Sequence, residues 1–187
     1  MVETKHLILR NASFADLDQF AEWESRASVI EHFCVIDGKR DLDTVTKIFH
    51  QVTRDDYRRW LSIVHKPEMK LIGRVGITCI DPINDSMDLT IIYIAEKDMR
   101  GKGLGEEAIR GVLEMAFTEM NMHRVTLSHF LDDPISERLY DKIGFRKEGI
   151  MKKAGRQGKE YKDLQLRAIL REEWEEQVEM AELAEQE

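Results

Sequence analysis

Apolar residues recur along the chain with two different periods, and the switching between them predicts a mixed fold. "HLILR" (His6 to Arg10) reads as a short strand. "NASFADLDQFAEWES" reads as a helix, with Ser13 as N-cap, Asp16 three residues on, and Phe14, Leu17, Phe20, Ala21 and Trp23 near helical spacing. Between Val29 and Arg59 the pattern is mixed; it predicts a helix from Asp41 to Gln51 and a turn around "RDDYRRW". Three extended runs follow: "WLSIVH" (Trp60 to His65), "KLIGRVGITCI" (Lys70 to Ile80) and "SMDLTIIYIA" (Ser86 to Ala95). Turn-formers separate them, Lys66-Pro67-Glu68 and then the run from Asp81 to Asp85, so the three are expected to be antiparallel neighbours.

Period 3.6 returns from about Leu104 to Asn121, where Leu104, Ala108, Ile109, Val112, Leu113, Ala116 and Phe117 make one apolar face. "HRVTLSHF" (His123 to Phe130) is again strand-like, and "DPISERLYDKIGF" a short helix that Gly144 ends. Two strands joined by a glycine-containing turn come next, then an acidic helix from Arg171. The expected organisation is one α/β (α+β) domain over residues 1–170 with an acidic helical tail over 171–187. No repeat or linker divides the chain. Trp174, Val178 and Ala181 form a narrow apolar stripe on the tail, suited to docking on its own domain or on a second copy as a homodimer.

Composition narrows the function classes. The chain has 187 residues, 34% of them charged, and a formal net charge of −8, which argues against a nucleic-acid binder because such proteins carry a basic face. No apolar run approaches the roughly 18 residues of a membrane span. Glu3, Lys5 and His6 at the N-terminus do not suit a signal peptide, so a cytoplasmic location is the expectation. Cys34 and Cys79 stand far apart with no metal-ligand spacing, and both are expected to be buried thiols. No metal is expected.

The chemistry concentrates at "YIAEKDMRGKGLGEEAIRGVLEMAF", Tyr93 to Phe117, where a strand runs through Arg100-Gly101-Lys102-Gly103-Leu104-Gly105 into a helix. Such a turn leaves unpaired N–H groups at the positive end of the helix dipole, an anion site that favours phosphate. Glycine lets the backbone approach the anion. No GxxxxGK followed by Ser or Thr occurs, which counts against triphosphate hydrolysis. Gly103, Gly105 and Ala108 fit a loose GxGxxA dinucleotide pattern, but a doubly wound domain would repeat strand and helix several times. A plain tight turn also remains open on the pattern alone.

"RGKGLG" resembles the R/Q-x-x-G-x-G/A segment with which GNAT acetyltransferases cradle the pyrophosphate of acetyl-CoA. "DDPISERLYDKIGF" (Asp132 to Phe145) is similar to the N-x-x-S-x-x-L-Y-x-x-x-G-F segment of the same family, matching at Ser136, Leu139, Tyr140, Gly144 and Phe145. It departs at Asp133, where Asn is usual; a carboxylate only accepts hydrogen bonds. "LILRNASFADLDQFAEW" and "FRKEGIMKKAGRQGKEYKDLQLRAILREEW" resemble the subfamily of ribosomal-protein N-terminal and spermidine acetyltransferases.

The resemblance implies a GNAT fold, a mixed, mostly antiparallel sheet of about seven strands flanked by helices. It implies acetyl-CoA as acyl donor and a primary amine as acceptor, a protein N-terminus or small amine, with a polyamine as the alternative; a non-catalytic acyl-CoA sensor is a rival of another class. By the same resemblance the backbones of Tyr93, Ile94 and Ala95 meet the pantetheine arm. The segment Arg100, Gly101, Lys102, Gly103, Leu104 and Gly105 holds the pyrophosphate, Asp133 and Ser136 face the cofactor, and Tyr140 protonates the leaving thiolate. For the base, Asp88 is the nearest carboxylate, with Glu31, His32 and His129 as other candidates. Glu31, Asp37, Asp41 and Asp43 would attract a polycation, or form a solvated loop.

Overall fold

The computed structural model describes residues 1–33 and 38–185; Cys34 and Asp37, singled out above, lie outside the described residues. The strands are β1 (Val2–Glu3), β2 (Leu7–Asn11), β3 (Arg59–His65), β4 (Lys70–Asp81), β5 (Ser86–Ile94), β6 (Arg124–Phe130), β7 (Arg146–Gln157) and β8 (Glu160–Leu170). The helices are α1 (Leu17–Glu24), α2 (Ala27–Ile30), α3 (Leu42–Val52), α4 (Leu104–Glu114), α5 (Pro134–Ile143) and α6 (Arg171–Glu185). One sheet carries the strands in the order β1-β2-β3-β4-β5-β6-β8-β7. Every neighbouring pair is antiparallel except β5–β6, which α4 connects as a crossover. The sheet thus has eight strands where about seven were expected. The addition is β1, two residues long, too short to show any period in sequence.

Each face of the sheet has its own core. Leu17, Phe20 and Trp23 of α1 and Val45, Phe49 and Val52 of α3 pack on Trp60, Ile91 and Tyr93 on one face. On the other, Ala108, Ile109, Val112 and Leu113 of α4, with Ile143 and Phe145, cover Leu9, Ile63, Val75, Leu89 and Leu127. Between two such layers β3 is buried at five consecutive positions, which explains its unbroken apolar run. The tail helix is tied to the domain by Trp174, whose ring centroid lies 5.4 Å from that of Phe117, and by Arg171, which donates to Met122 O at 2.9 Å.

The α1 layer hides ionic groups. Glu24, fully buried at the end of α1, accepts from Arg74 of β4, from Arg40 at 3.2 Å and from the Tyr93 hydroxyl at 3.2 Å. The Arg74 guanidinium stacks 3.9 Å from the Trp60 ring centroid. Asp41 caps α3 by accepting from Thr44 N–H at 2.9 Å, and Asp43 pairs with Lys47 at 2.5 Å, so both are engaged on their own helix. Cys79 departs from the expected buried thiol. It is exposed, with φ 51°, in the irregular stretch of β4 between Thr78 and Asp81.

Candidate active site

The two parallel strands part company early. β5 pairs with β6 only from Ser86–Arg124 to Asp88–Thr126, and beyond that the strands diverge. The opening is a cleft of about 360 Å³. Ile92, Tyr93 and Ile94 of β5 line one wall, Ser128 and His129 of β6 the other, and Ile135, Leu139 and Tyr140 of α5 close over it. Parting two parallel strands bares backbone N–H and C=O groups that a ligand can pair, at a switch point where ligands bind in open α/β sheets.

At one end of the cleft stands the glycine turn. Gly101 and Gly103 adopt φ 73° and 81°, which glycine takes without steric cost. Gly103 is the N-cap of α4, and no side chain caps that helix. The first intrahelical donor is Glu107 N–H, on Gly103 O at 3.0 Å. Preceding N–H groups therefore converge at the positive helix end with a Cβ's worth of free room at Gly101, Gly103 and Gly105, where an added Cβ would meet nothing within 4 Å. That is a cradle for an anion. The carboxylates of the first helical turn are held elsewhere: Glu106 pairs with Lys142 at 2.6 Å and Arg110 at 3.1 Å, and Glu107 accepts from His6 N–H at 2.6 Å. Leu104 is buried in the core beneath the turn, and Lys102 is exposed. Arg100 is spent on structure, since its Nε donates to Ile94 O at 2.7 Å and its second nitrogen to Ala95 O at 3.2 Å, closing the turn against the end of β5.

The strand residues divide. Ala95 lies outside the cleft lining, and its N–H is already paired, donating to Ile72 O of the neighbouring strand at 2.8 Å. Alternation then turns the backbone groups of Ile94 and Ile92 toward the cleft. Tyr93 lines it too, but its phenol is buried on the other face beside Glu24, where burial pushes the pKa up.

Asp133 and Ser136 line the cleft and are bound to one another. Asp133 caps α5, accepting from the N–H groups of Ile135 and Ser136 at 3.1 Å each and from Ser136 Oγ at 2.7 Å. Burial pushes the carboxyl up, but these hydrogen bonds outweigh it and hold it below its ordinary range. Tyr140, two turns on, is partly buried among apolar groups. Burial pushes its phenol above its usual value, Asp133 and Asp88 add to that, and Arg167 opposes it. The phenol therefore stays protonated at neutral pH.

Asp88 does not line the cleft; it sits at its closed end, opposite Thr126. Its oxygens accept from the Thr90 and Thr126 hydroxyls at 2.8 Å each. Thr90 does line the cleft. It is also the extra residue of a bulge, because Gly76 and Ile77 of β4 pair with Ile91 and Leu89. Burial raises the Asp88 pKa against the pull of the two threonines. Of the other base candidates, His32 is exposed at the far end of the cleft, near Glu31 at 3.8 Å. His129 is engaged at both ring nitrogens: Nδ1 donates to Phe130 O at 2.9 Å and Nε2 accepts from Arg167 Nε at 3.0 Å. Thr90 and Arg167 were not anticipated from sequence. A lone arginine inside the apolar run "LQLRAIL" was the one available sign of a buried ion pair.

Among the described residues no three His, Cys, Asp or Glu side chains gather closely enough to hold a metal ion, and no helix is long and apolar enough to cross a membrane. Solved structures with the same fold include the spermidine N-acetyltransferase from Vibrio cholerae in complex with CoA and spermine, with TM-score 0.84 and 22% identity over 91% of this chain and 99% of that one. Among curated proteins, the uncharacterized N-acetyltransferase YnaD of Bacillus subtilis is 28% identical over 92% of this chain and 98% of its own length. The spermidine N(1)-acetyltransferase of Vibrio cholerae is 29% identical over 57% of this chain and 60% of its own length. A family model described as the acetyltransferase (GNAT) domain matches residues 6–146, a span holding both the glycine turn and Tyr140. The chain therefore belongs to the GNAT acetyltransferases, enzymes that take their acetyl group from acetyl-CoA.

Proposed function

We propose that this enzyme acetylates a primary amine borne by a peptide N-terminus or a small molecule, with Tyr140 as general acid and Asp88, reached through Thr90, as proton acceptor. The observation that carries the reading is the cleft between β5 and β6, which has an anion cradle at one end and a protonated phenol over its middle. In this reading the cradle from Gly101 to Gly105 holds the pyrophosphate and the bared edge at Ile92 and Ile94 holds the pantetheine arm. The thioester then lies beneath Tyr140.

The amine enters from the end lined by Ser28, Val29, His32 and Phe33. It enters as an ammonium, gives one proton through the Thr90 hydroxyl to Asp88, and the freed lone pair attacks the thioester carbonyl. The C–S bond then breaks, the thiolate takes the Tyr140 proton, and the surplus proton on the new amide nitrogen passes to the Tyr140 phenolate. Holding both reactants in one cleft supplies much of the acceleration, up to about 7–11 kcal/mol for well-oriented partners.

Electrostatics favours an acceptor with one amine. Asp133 is the sole carboxylate among the described lining residues, and its oxygens are occupied by the α5 cap. A polyamine carries further ammonium groups that such a lining does not pair. The polyamine reading has its own support in the relatives that acetylate spermidine.

The test is to incubate the protein and its Tyr140→Phe variant with acetyl-CoA and follow free CoA thiol. The acceptors are peptides with free N-termini, spermidine and spermine, and aminoglycosides. Thiol release with the peptides that disappears in the variant is the expected result. Release with spermidine alone overturns the acceptor assignment. Acetyl-CoA binding without release from any acceptor leaves a sensor.

A further inference from the structure

Tyr140 is held by groups that all lead to one buried cation. Its ring lies 5.5 Å from that of His129 at 41° and 5.8 Å from that of Phe145 at 70°. Arg167, fully buried on β8, donates from Nε to His129 Nε2 at 3.0 Å, and from a terminal nitrogen to Phe145 O at 3.0 Å and to Asp141 Oδ1 at 2.6 Å. It therefore grips one flanking ring directly, the backbone of the other, and the residue next to Tyr140 on α5. Sheet register makes this reachable. His129 pairs with Gln165 and Leu127 with Arg167, so Arg167 and His129 are diagonal neighbours on one face.

The hydrogen bonds also fix the imidazole. Phe130 O only accepts, so Nδ1 carries the proton, and the lone pair of Nε2 is taken by a guanidinium that never deprotonates. Resting on the catalytic reading above, we propose that Arg167 is a positioning residue for acetyl transfer: it locks His129 as the Nδ1–H tautomer and clamps the phenol of Tyr140 between His129 and Phe145.

The charges facing this cluster come from several elements. Asp133, Glu137 and Asp141 stand on α5, Asp88 on β5, and His32 faces Asp133 from the far end of the cleft. Burial, helped by Arg167, pushes the His129 pKa down, while Asp133 and Glu137 pull the other way. Removing Arg167 frees Nε2 in the presence of those carboxylates, and the imidazole regains the capacity to protonate.

Arg167→Met keeps an unbranched stem as far as the position of Nε and leaves Asp141, which is half exposed, in water. Two readouts separate clamping from mere support of the fold. The first is the ¹⁵N and ¹H spectrum of the histidine rings between about pH 5 and 8, with the His129 signal assigned by its loss in His129→Asn. The wild type should show the Nδ1–H tautomer with no titration, and Arg167→Met should show a ring that now takes up a proton on acidification, burial still holding its pKa down. The second is turnover: kcat should fall roughly 10- to 100-fold with KM for acetyl-CoA little changed, and Arg167→Lys should recover part of the loss.

A wild-type His129 that titrates normally overturns the lock, whether or not the methionine variant folds. A folded Arg167→Met with wild-type kcat overturns the clamp. If the wild type transfers no acetyl group at all, the catalytic reading fails and the positioning role falls with it, while the ring spectra still decide the lock.

Discussion

Asp16 offers the most quantitative test of how the α1 layer is fastened to the sheet. Its side chain is 5% exposed. Arg10 of β2 forks onto it with two hydrogen bonds of 2.7 Å, Ser13 N–H donates at 2.8 Å, and the Ser62 hydroxyl of β3 at 2.9 Å. Burial pushes the carboxyl up, but these donors prevail and bring its pKa from 3.8 to about 2. At about 1.4 kcal/mol per pKa unit, the ionised form contributes roughly 2 kcal/mol to folding.

The sign follows from a folded value below the unfolded one. The contribution is complete above about pH 4 and is lost as pH falls through about 2. Asp16→Asn should therefore cost at least about 2 kcal/mol at pH 7, since its amide also turns a donor toward Arg10. Urea unfolding followed by tryptophan fluorescence reads it as a lower midpoint at constant slope. The gap to wild type should narrow between pH 4 and pH 2.5. A gap under about 0.5 kcal/mol at pH 7, or one that does not narrow in acid, would refute the reasoning. Asp16 does not line the cleft, so KM for acetyl-CoA in the folded variant should match wild type.

Other outcomes bear on the site itself. Tyr140→Phe removes the proton donor and nothing from the cradle, so kcat should drop by roughly 10²-fold or more while acetyl-CoA binds as before, measured by calorimetry. Gly105→Val adds bulk where the protein itself leaves room. KM for acetyl-CoA should rise at least about tenfold with no loss of thermal stability, valine being the better helix residue by a few tenths of a kcal/mol; an unchanged KM would place the anion elsewhere. Asp88→Asn should lower kcat and abolish the part of the acid limb of the pH–rate profile that belongs to a carboxylate raised above its ordinary value. Because a raised carboxylate pKa destabilises the ionised folded state above that value, the same variant should unfold at equal or higher urea at pH 7.

Much of this architecture is legible in sequence because it rests on local signals. The period of α4, the αL glycine at Gly144 that ends α5, and the turn-formers between β3, β4 and β5 each act within a few residues. The glycine turn and the Asp133-Ser136-Tyr140 face are legible for the same reason. What escapes is decided at long range or by irregularity. Asp88 looks out of register because "LTIIYIA" conceals the bulge at Thr90, and an apolar run buried on both faces gives no period to interrupt. The Arg167–His129 bond joins residues 38 apart in sequence, set by the β6–β8 register. Cys79 reads as a core thiol by residue type, yet the backbone irregularity after Thr78 turns it to solvent.

The bulge that hides Asp88 also explains how one strand serves both cores. Before Thr90, the inward side chains of β5, Met87 and Leu89, belong to the core under α4; after it, Ile91 and Tyr93 belong to the core under α1 and α3. Were the strand regularly paired through Thr90, every second residue from Met87 to Tyr93 would share a face. The switch puts Ile92 and Ile94 over the α4 side, beside the cleft, and sends the phenol of Tyr93 to Glu24 and Arg74 on the opposite side. Thr90 itself is left at the crossing point, with its hydroxyl on Asp88 and its neighbours on the cleft wall. Deleting Thr90 would leave Leu89 and Ile91 consecutive opposite Ile77 and Gly76, the partners they already have. Ile91 and Tyr93 would then stay in their core, so the deletion should fold as Thr90→Ala does and, like it, lose the hydroxyl beside Asp88; a deletion that unfolds where Thr90→Ala folds would refute this register argument.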